Sequence, residues 1–476
     1  MRGVTQRERE AVIAKLRRQR PDLVQFYEKE VAETEATRKA LVTGPYPGMG
    51  TGDPDLYKAF CWRFLNLLAR EGGWLGVVLP RSAFNAKGST DFRQAVLENS
   101  NPLDVTMLVN NRQWIFPEVH PQYTIGLVAL SRNKADGKSV RLRGPFRSLE
   151  RFHAEAAAPP AEFPAPEVIG WTDSASLPLL PTEESLEIFT QLRKAPRLDF
   201  NDGRSWRVRP HRELDATNDK ELLDVKSADK PRGFWPVFKD ESFDLWEPDT
   251  SSYYAWADPK IVLLELQSTR LRGAGNRKSP FSEFSRDVLR KVDTAPPNFA
   301  RIAFRDVSRA TDCRTMRLAL VPPKIFITNQ APYSLWPRGD EHDQAYLLGV
   351  LCSLPLDWYA RRFVETHMNF CVFNPLPRPA RDDARWQRVV QLAGRLAAVD
   401  DRFAAWAQAV GVPCGPLDAL EKQAHLHELD AVVAHLYGLT ERQLIHLFET
   451  FHEGWDYQDR LEVTPEHFHV WGKQRA

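Results

Sequence analysis

Gly48, Gly50 and Gly52 stand at alternate positions, a spacing that could let backbone close around a phosphate. Such a cradle needs a buried strand just before it and a helix placed to receive the ligand. Here a polar, helix-patterned stretch and the prolines Pro45 and Pro47 come first, so the segment reads as a plain loop. The histidines His425, His427 and His435 fall on one helical stretch, but His427 and His435 are eight residues apart with no cysteine near them. That is not a zinc spacing, and no metal site is expected. Asp258 to Gln267 (DPKIVLLELQ) offers acid, strand, acid and glutamine, the order of a variant nuclease centre. The same letters describe an ordinary strand with flanking charges, and that plainer reading is preferred.

The elements that must position any site come next. At 476 residues the chain is too long for one core, and two or three domains are expected. No run of about 18 apolar residues exists to form a transmembrane helix. The charged start, Met1 to Glu10, lacks the apolar stretch of a secretory signal. Five cysteines stand singly at 61, 313, 352, 371 and 414. Their scatter fits a reducing cytoplasm rather than a disulfide framework. A net charge of +1 shows no basic tail for nucleic acid. Arginine is nonetheless clustered, at Arg301, Arg305, Arg309, Arg314 and Arg317, and again at Arg361 and Arg362.

From Arg7 to about Lys39 the pattern is helical, with Val12, Leu16, Leu23 and Phe26 as sparse apolar marks. Thr43 to Pro54 is a loop. Leu56 to Arg70 is an amphipathic helix with Leu56, Phe60, Phe64, Leu67 and Leu68 on one face, ended by Gly72-Gly73. Strands are expected at Trp74–Leu79, Leu103–Val109 and Tyr123–Leu130, with a helix at Thr90–Asn99. That order indicates an α/β sheet whose last two strands are neighbours, with a long unpaired edge. Residues 141–184, rich in proline and alanine, read as a linker or irregular crossing. Between Asn201 and Pro379 short strands are expected, including Ile261–Leu266 and Ile325–Thr328. A helix at Asp343–Phe363 is broken or kinked by Pro355. Helices then run to the end, with Gly438 closing one and Thr440 opening the next.

Several blocks carry a family likeness. Gly50-Thr51-Gly52-Asp53-Pro54-Asp55-Leu56-Tyr57 leads to Phe60, then Gly72-Gly73, Val77, Pro80 and Phe84. Asn110-Asn111-Arg112, Phe116-Pro117 and Val119-His120 lead into the third strand. Further on stand Trp235-Pro236-Val237-Phe238-Lys239, Arg301 to Val307, Asp312, Arg314-Thr315, His367-Met368-Asn369-Phe370 and Leu376-Pro377. Leu429-Asp430-Ala431 to Tyr437-Gly438-Leu439-Thr440 closes the series. In this order, over nearly the whole chain, they resemble the gamma-type adenine-N6 DNA methyltransferases. The likeness is to the large members of fused restriction-modification and phage-defence systems.

The resemblance implies α/β plus mixed α+β architecture. Residues 1–140 would be the C-terminal part of a class I methyltransferase catalytic domain and 141–200 a linker and irregular crossing. A target-recognition domain would span 201–380 and a helical segment 381–476. Double-stranded DNA is the implied partner and S-adenosylmethionine the implied cofactor. One departure is plain. The family's Asp-Pro-x-x-Gly-x-Gly cofactor loop and its Asn/Asp-Pro-Pro-aromatic motif are both absent; the double prolines at 159, 296 and 322 follow apolar residues. Without the acceptor and ring of that motif an extruded adenine has no place to react. The expectation is therefore a target-reading part that is inactive alone and works with an upstream polypeptide carrying both motifs. The alternative is a non-catalytic DNA-binding module or truncated remnant.

By the same resemblance Phe116 matches a position whose ring contacts the extruded base, while Asp53 and Tyr57 adjoin the cofactor and catalytic pocket. A helix cap for Asp53 and core packing for Tyr57 are the plain alternatives. Arg305, Arg314, Arg361 and Arg362 are candidates for contact with the DNA backbone. Base-reading residues are expected among polar positions between Trp235 and Gln330.

Overall fold

In the computed structural model the charged N-terminal stretch forms two helices, Gln6–Gln19 and Pro21–Thr43, because Pro21 lacks an amide to carry one helix through. The structure describes residues 6–49, 51–69, 72–121, 123–132, 138–308, 312–364, 366–381, 384–452 and 455–473, with side chains from residue 10 onward. Gly50, Arg70, Arg309 and Thr311 lie outside them. The fold is mixed α+β, with several small sheets among many helices. No helix among the described residues is long and apolar enough to cross a membrane.

The first sheet has five strands: β1 (Gly73–Pro80), β2 (Leu103–Val109), β3 (Thr124–Arg132), β4 (Ser139–Phe146) and β5 (Ala161–Pro164). Their order is β1-β3-β2-β4-β5. β3 runs antiparallel to both β1 and β2, so the last two expected strands are neighbours. β4 and β5 correct the expectation of a linker over 141–184. In β4 every second residue is buried, Val140, Leu142, Gly144 and Phe146, the alternation of a half-buried strand that its arginines obscure in sequence. The helix Glu183–Leu192 follows, with Ile188, Phe189 and Leu192 fully buried. Phe189 stacks on Tyr359 with ring centroids 4.9 Å apart, joining the sheet to the later helices.

The opposite edge stays open. Among the described residues β1 pairs with β3 alone, and its face is bare, with Trp74 68% exposed beside Val78. The helix Leu56–Leu67 turns the expected core stripe outward. Leu56, Phe60 and Leu67 are exposed, while Lys58, Ala59 and Cys61 face inward. Val12, Leu23 and Phe26 are exposed as well.

Two further sheets follow. β6 (Arg207–His211), β9 (Arg301–Phe304), β10 (Leu318–Val321) and β12 (Tyr333–Arg338) pair in the order β10-β9-β12-β6. β7 (Trp235–Phe238), β8 (Ala255–Ala257) and β11 (Phe326–Ile327) pair in the order β11-β7-β8. The strand expected at Ile261–Leu266 is instead a helix, Pro259–Gly273. Asp258 caps it by accepting from the Lys260 amide, Pro259 sits in its first turn, and Val262, Leu266 and Arg270 point inward four residues apart. A helix there also removes the strand on which the nuclease arrangement depended.

The helices Glu341–Cys352 and Leu354–Arg361 divide at Ser353, with Pro355 in the first turn of the second. Gly349 permits close packing on the helix Arg385–Ala397: a β-carbon there would lie 2.6 Å from Val389 Cγ1. The chain ends in Ala419–Leu436, Glu441–Phe451 and Gln458–Lys473. Thr440 and Gln443 form a reciprocal capping box at Glu441, and Gly438 turns the chain with φ +69°.

Asp357, fully buried, ties the helix Leu354–Arg361 to the segment 314–316. It takes the Arg314 guanidinium and accepts from the amides of Thr315 at 3.1 Å and Met316 at 3.0 Å. Asp357→Ala leaves a buried cation and two amides unpaired; we expect a loss of about 3–5 kcal/mol, read as a lower urea midpoint. His211 sits between the rings of Phe281 and Tyr333, at 4.7 and 5.7 Å. Burial, reinforced by Arg301, pushes its pKa from 6.5 down to about 4. The unfolded chain therefore binds the proton more readily, so this contribution is intact above pH 6.5 and is lost as pH falls toward 4. His211→Gln should flatten the fall in thermal midpoint between those limits.

Candidate functional site

β1 and β2 both oppose β3, so the segments that follow them emerge at one end of the sheet. In open α/β sheets this carboxyl end of the strands is where ligands bind. Asn110 directly follows β2 and is fully buried. Its Nδ2 donates to the carbonyls of Phe116 and Val119, both at 2.9 Å. Its Oδ1 accepts from the amides of Ile115 at 3.1 Å and Phe116 at 3.0 Å. An amide side chain suits this task because it carries donors and an acceptor together.

The loop so held turns through Arg112 and Gln113, whose φ values are +54° and +60°. Two non-glycine residues in the left-handed region store strain, a feature that gathers at functional segments. Trp114 Nε1 donates to the Val109 carbonyl at 2.7 Å and pins the loop's base. Phe116 is left at the rim, 41% exposed, with its backbone fixed on both sides by Asn110. A ring fixed in that way can stack against a flat group. At the start of β3, Gly126 lies under Phe84; a β-carbon there would stand 2.7 Å from the Phe84 ring.

Tyr57 joins this end of the sheet. Its hydroxyl lies 3.2 Å from Ser89 Oγ, in the segment that follows β1, and burial pushes its pKa up. Asp53 does not cap the helix. Asp55 holds the cap position without a side-chain bond, and Asp53 offers its main-chain oxygen to buried Lys58. Trp62 Nε1 donates to the Pro47 carbonyl at 2.9 Å, so the 44–55 loop lies on its own helix. Asp53 and Tyr57 are thus both engaged in local contacts, Asp53 through its main chain and Tyr57 through its hydroxyl.

The four arginine candidates are occupied internally, which corrects the expectation of phosphate contacts. Arg305 Nε donates to the Phe243 carbonyl at 2.9 Å and the guanidinium pairs with Asp244 at 3.2 Å. Arg314 is held by Asp357 and by the Cys352 carbonyl at 2.7 Å. Arg361 and Arg362 are each 5% exposed. Arg361 reaches the Asp312 carbonyl and lies over the Phe451 ring at 4.3 Å. Arg362 donates to the Thr450 carbonyl at 3.0 Å and covers the Trp358 ring at 4.2 Å. Burial pushes the Arg362 pKa down to about 9, with Arg361, Arg147 and Arg81 adding to the effect.

Exposed cations lie elsewhere. Arg277, Lys278, Arg286 and Lys291 are exposed on the insert between β8 and β9, around the Gly273–Lys278 turn and the short helix Arg286–Arg290. The sequence signal for them is the basic, glycine-bearing run Arg272-Gly-Ala-Gly-Asn-Arg-Lys278, which is less dense than the arginine cluster from Arg301 to Arg317. Among the described residues no group of three or more His, Cys, Asp or Glu is placed to hold a metal ion. His435 instead stacks on Phe468 at 3.7 Å.

Asn110→Ala removes all four loop bonds while leaving Phe116 in place. Amide hydrogen exchange at Ile115 and Phe116 should quicken at least about tenfold, since each lost buried bond contributes roughly 1 kcal/mol or more.

No protein-family model matches the chain, and no curated protein does. Solved structures are similar at low identity. The type IIG restriction endonuclease BpuSI is 14% identical with a TM-score of 0.30, covering 77% of this chain and 47% of that one. The type IIL restriction-modification enzyme MmeI, in complex with DNA, is 11% identical with a TM-score of 0.42, covering 87% and 54%. A nuclease-deletion mutant of the type ISP restriction-modification enzyme LlaGI, with a DNA substrate mimic, is 12% identical with a TM-score of 0.33, covering 69% and 30%. The chain spans about half the length of the first two.

Proposed function

We propose that this chain is the target-recognition portion of a site-specific adenine-N6 DNA methyltransferase from a restriction-modification or phage-defence system. In this reading an upstream polypeptide brings the cofactor loop and the adenine-holding motif, and the present chain is inactive alone. The observation that carries it is the β1-β3-β2 corner. Among the described residues β1 has an unpaired edge and a bare Trp74 and Val78, beside the Asn110-held loop that presents Phe116.

An unpaired strand edge accepts a further strand through main-chain hydrogen bonds, and bare apolar side chains beside it add area to be buried. Phe116 would stack an extruded base, and the rigid loop would spare the entropy of ordering it. S-adenosylmethionine supplies the methyl group when bound; no residue of this chain is assigned to holding it. Arg277, Lys278, Arg286 and Lys291 would contact phosphates, orienting the duplex without reading its sequence. The same basic insert favours a second reading, a DNA-binding module without a catalytic role.

Calorimetry distinguishes the two. The purified chain should not bind S-adenosylmethionine, while its complex with the polypeptide encoded directly upstream should bind it and methylate adenine in plasmid DNA. Saturable cofactor binding by the lone chain would sink the two-part reading, and a complex that never methylates would favour the plain module. Replacing the four insert cations with alanine should make the slope of log affinity against log salt shallower by about 3.6, at roughly 0.9 per lost contact. An unchanged slope would remove the insert from the interface.

A further inference from the structure

The helix Pro259–Gly273 is held by one face and bare on the other. Val262, Leu266 and Arg270 are buried, and Arg270 donates to the Val288 carbonyl at 3.1 Å on the adjoining helix Arg286–Arg290. Ile261, Leu264, Glu265, Ser268 and Arg272 are exposed. Steps of three and four residues place these five on a single stripe. Ile261 is 56% exposed and Leu264 58%, and the Arg272 side chain is 70% exposed.

Two large aliphatic chains beside a carboxylate, a hydroxyl and a guanidinium match neither a solvated face nor an apolar docking face. They match the edges of base pairs in a major groove. There a thymine methyl meets an aliphatic chain, guanine offers two acceptors to a guanidinium fork, and the cytosine amino group donates to a carboxylate. A helix about 10–12 Å across fits a groove roughly 12 Å wide.

The charge around the stripe favours the same occupant. Residues 258–298 carry eight Lys and Arg against five Asp and Glu, a net +3 in a chain whose total is +1. Two of those acids are turned to internal tasks, Asp258 capping the helix and Glu283 pairing with Arg207 at 3.0 Å. Arg277 and Lys278 are exposed in the turn that follows the helix, and Arg286 and Lys291 bracket the short helix packed against it. Within the stripe Arg272 meets Glu265 at 3.1 Å and Thr269 Oγ1 at 3.0 Å. Exposed pairs of this kind contribute little, so both side chains can turn to a base edge at small cost.

We propose that the outer stripe of the helix Pro259–Gly273 reads base edges in the major groove, with Arg272 on a guanine and Leu264 on a thymine methyl group. The neighbouring cations position the duplex, and the stripe specifies its sequence. This rests on the DNA-recognition reading above and names the residues that set its sequence preference.

A pool of duplexes randomised in sequence would be selected on the chain alone and on its complex with the polypeptide encoded directly upstream. The wild type should enrich a defined sequence and bind it about tenfold or more tightly than a shuffled duplex. Arg272→Gln exchanges a fork suited to guanine for one suited to adenine, and Leu264→Ala removes the methyl contact. Each should change or relax the enriched base at one or two positions. Leu264→Ala should leave the salt slope unchanged, since no phosphate contact is lost. An enriched sequence that both variants share with the wild type overturns the inference and leaves the DNA reading standing. Duplex binding without any sequence preference overturns it in favour of the plain module. Loss of the upstream polypeptide from both variants, with the enriched sequence unchanged, makes the stripe a protein contact and likewise overturns it. Failure of both preparations to bind duplex removes the DNA reading and this inference together.

Discussion

The end of the helix Leu354–Arg361 is the joint on which the three parts of the molecule depend. Arg81, just past β1, donates to the Val364 carbonyl at 3.3 Å and the Arg362 carbonyl at 3.1 Å. The Leu179 amide reaches the same Arg362 carbonyl at 2.9 Å. Arg362 in turn reaches the Thr450 carbonyl in the C-terminal helices. Carbonyls at a helix end have no partner within the helix, and guanidinium groups supply several donors each. The first sheet, the middle region and the last helices are thereby tied through one set of charge-assisted bonds. Burying cations so close together is unfavourable in itself, which is the origin of the lowered pKa of Arg362. Arg81 is compensated by carbonyls and Arg362 by carbonyls and the Trp358 ring, and a smaller, more hydrated ammonium could not replace that planar fork.

The joint holds a structure that is well buried in its later part and open in its first. Trp358, Tyr346 and Phe448 are all fully buried, whereas Trp74, Phe60 and Phe26 are exposed. Exposed single apolar residues are ordinary, but here they accompany an unpaired strand edge. In the two-part reading that surface is where the catalytic segment seats. The Asn110 loop differs from it in kind: Phe116 is bonded through both its amide and its carbonyl, so its ring is exposed on a held backbone rather than on a surface awaiting cover.

Charge is divided in the same way. Inside, arginines serve carbonyls and carboxylates: Arg301 meets Glu213 at 2.6 Å, and Arg317 meets Asp244. Outside, the β8–β9 insert keeps Arg277, Lys278, Arg286 and Lys291 in water. A buried guanidinium adds to cohesion and is withdrawn from any ligand, while an exposed one adds little to stability and is available to an anion. A near-neutral total thus says nothing about where a polyanion would lie.

Sequence alone determined the local elements whose periodicity and caps are self-contained. Thr90–Asn99, Leu103–Val109 and the Gly438–Thr440 boundary were legible because side-chain alternation or a capping residue suffices to specify them. The Asn110-to-His120 block stood out only by resemblance, and the bonds by which Asn110 holds Phe116 were not legible in it. Tertiary structure decided the rest. Ile261–Leu266 is helical because Asp258 and Pro259 start a helix that packs through Val262 and Leu266, and a short apolar run has no period to choose between strand and helix. β4 emerged only on pairing with β2, since its arginines mask the alternation. The stripe of Leu56–Leu67 pointed outward because nothing among the described residues covers it. Arg314, Arg361 and Arg362 were set by burial, which depends on residues up to hundreds of positions away, and no local pattern carries that information.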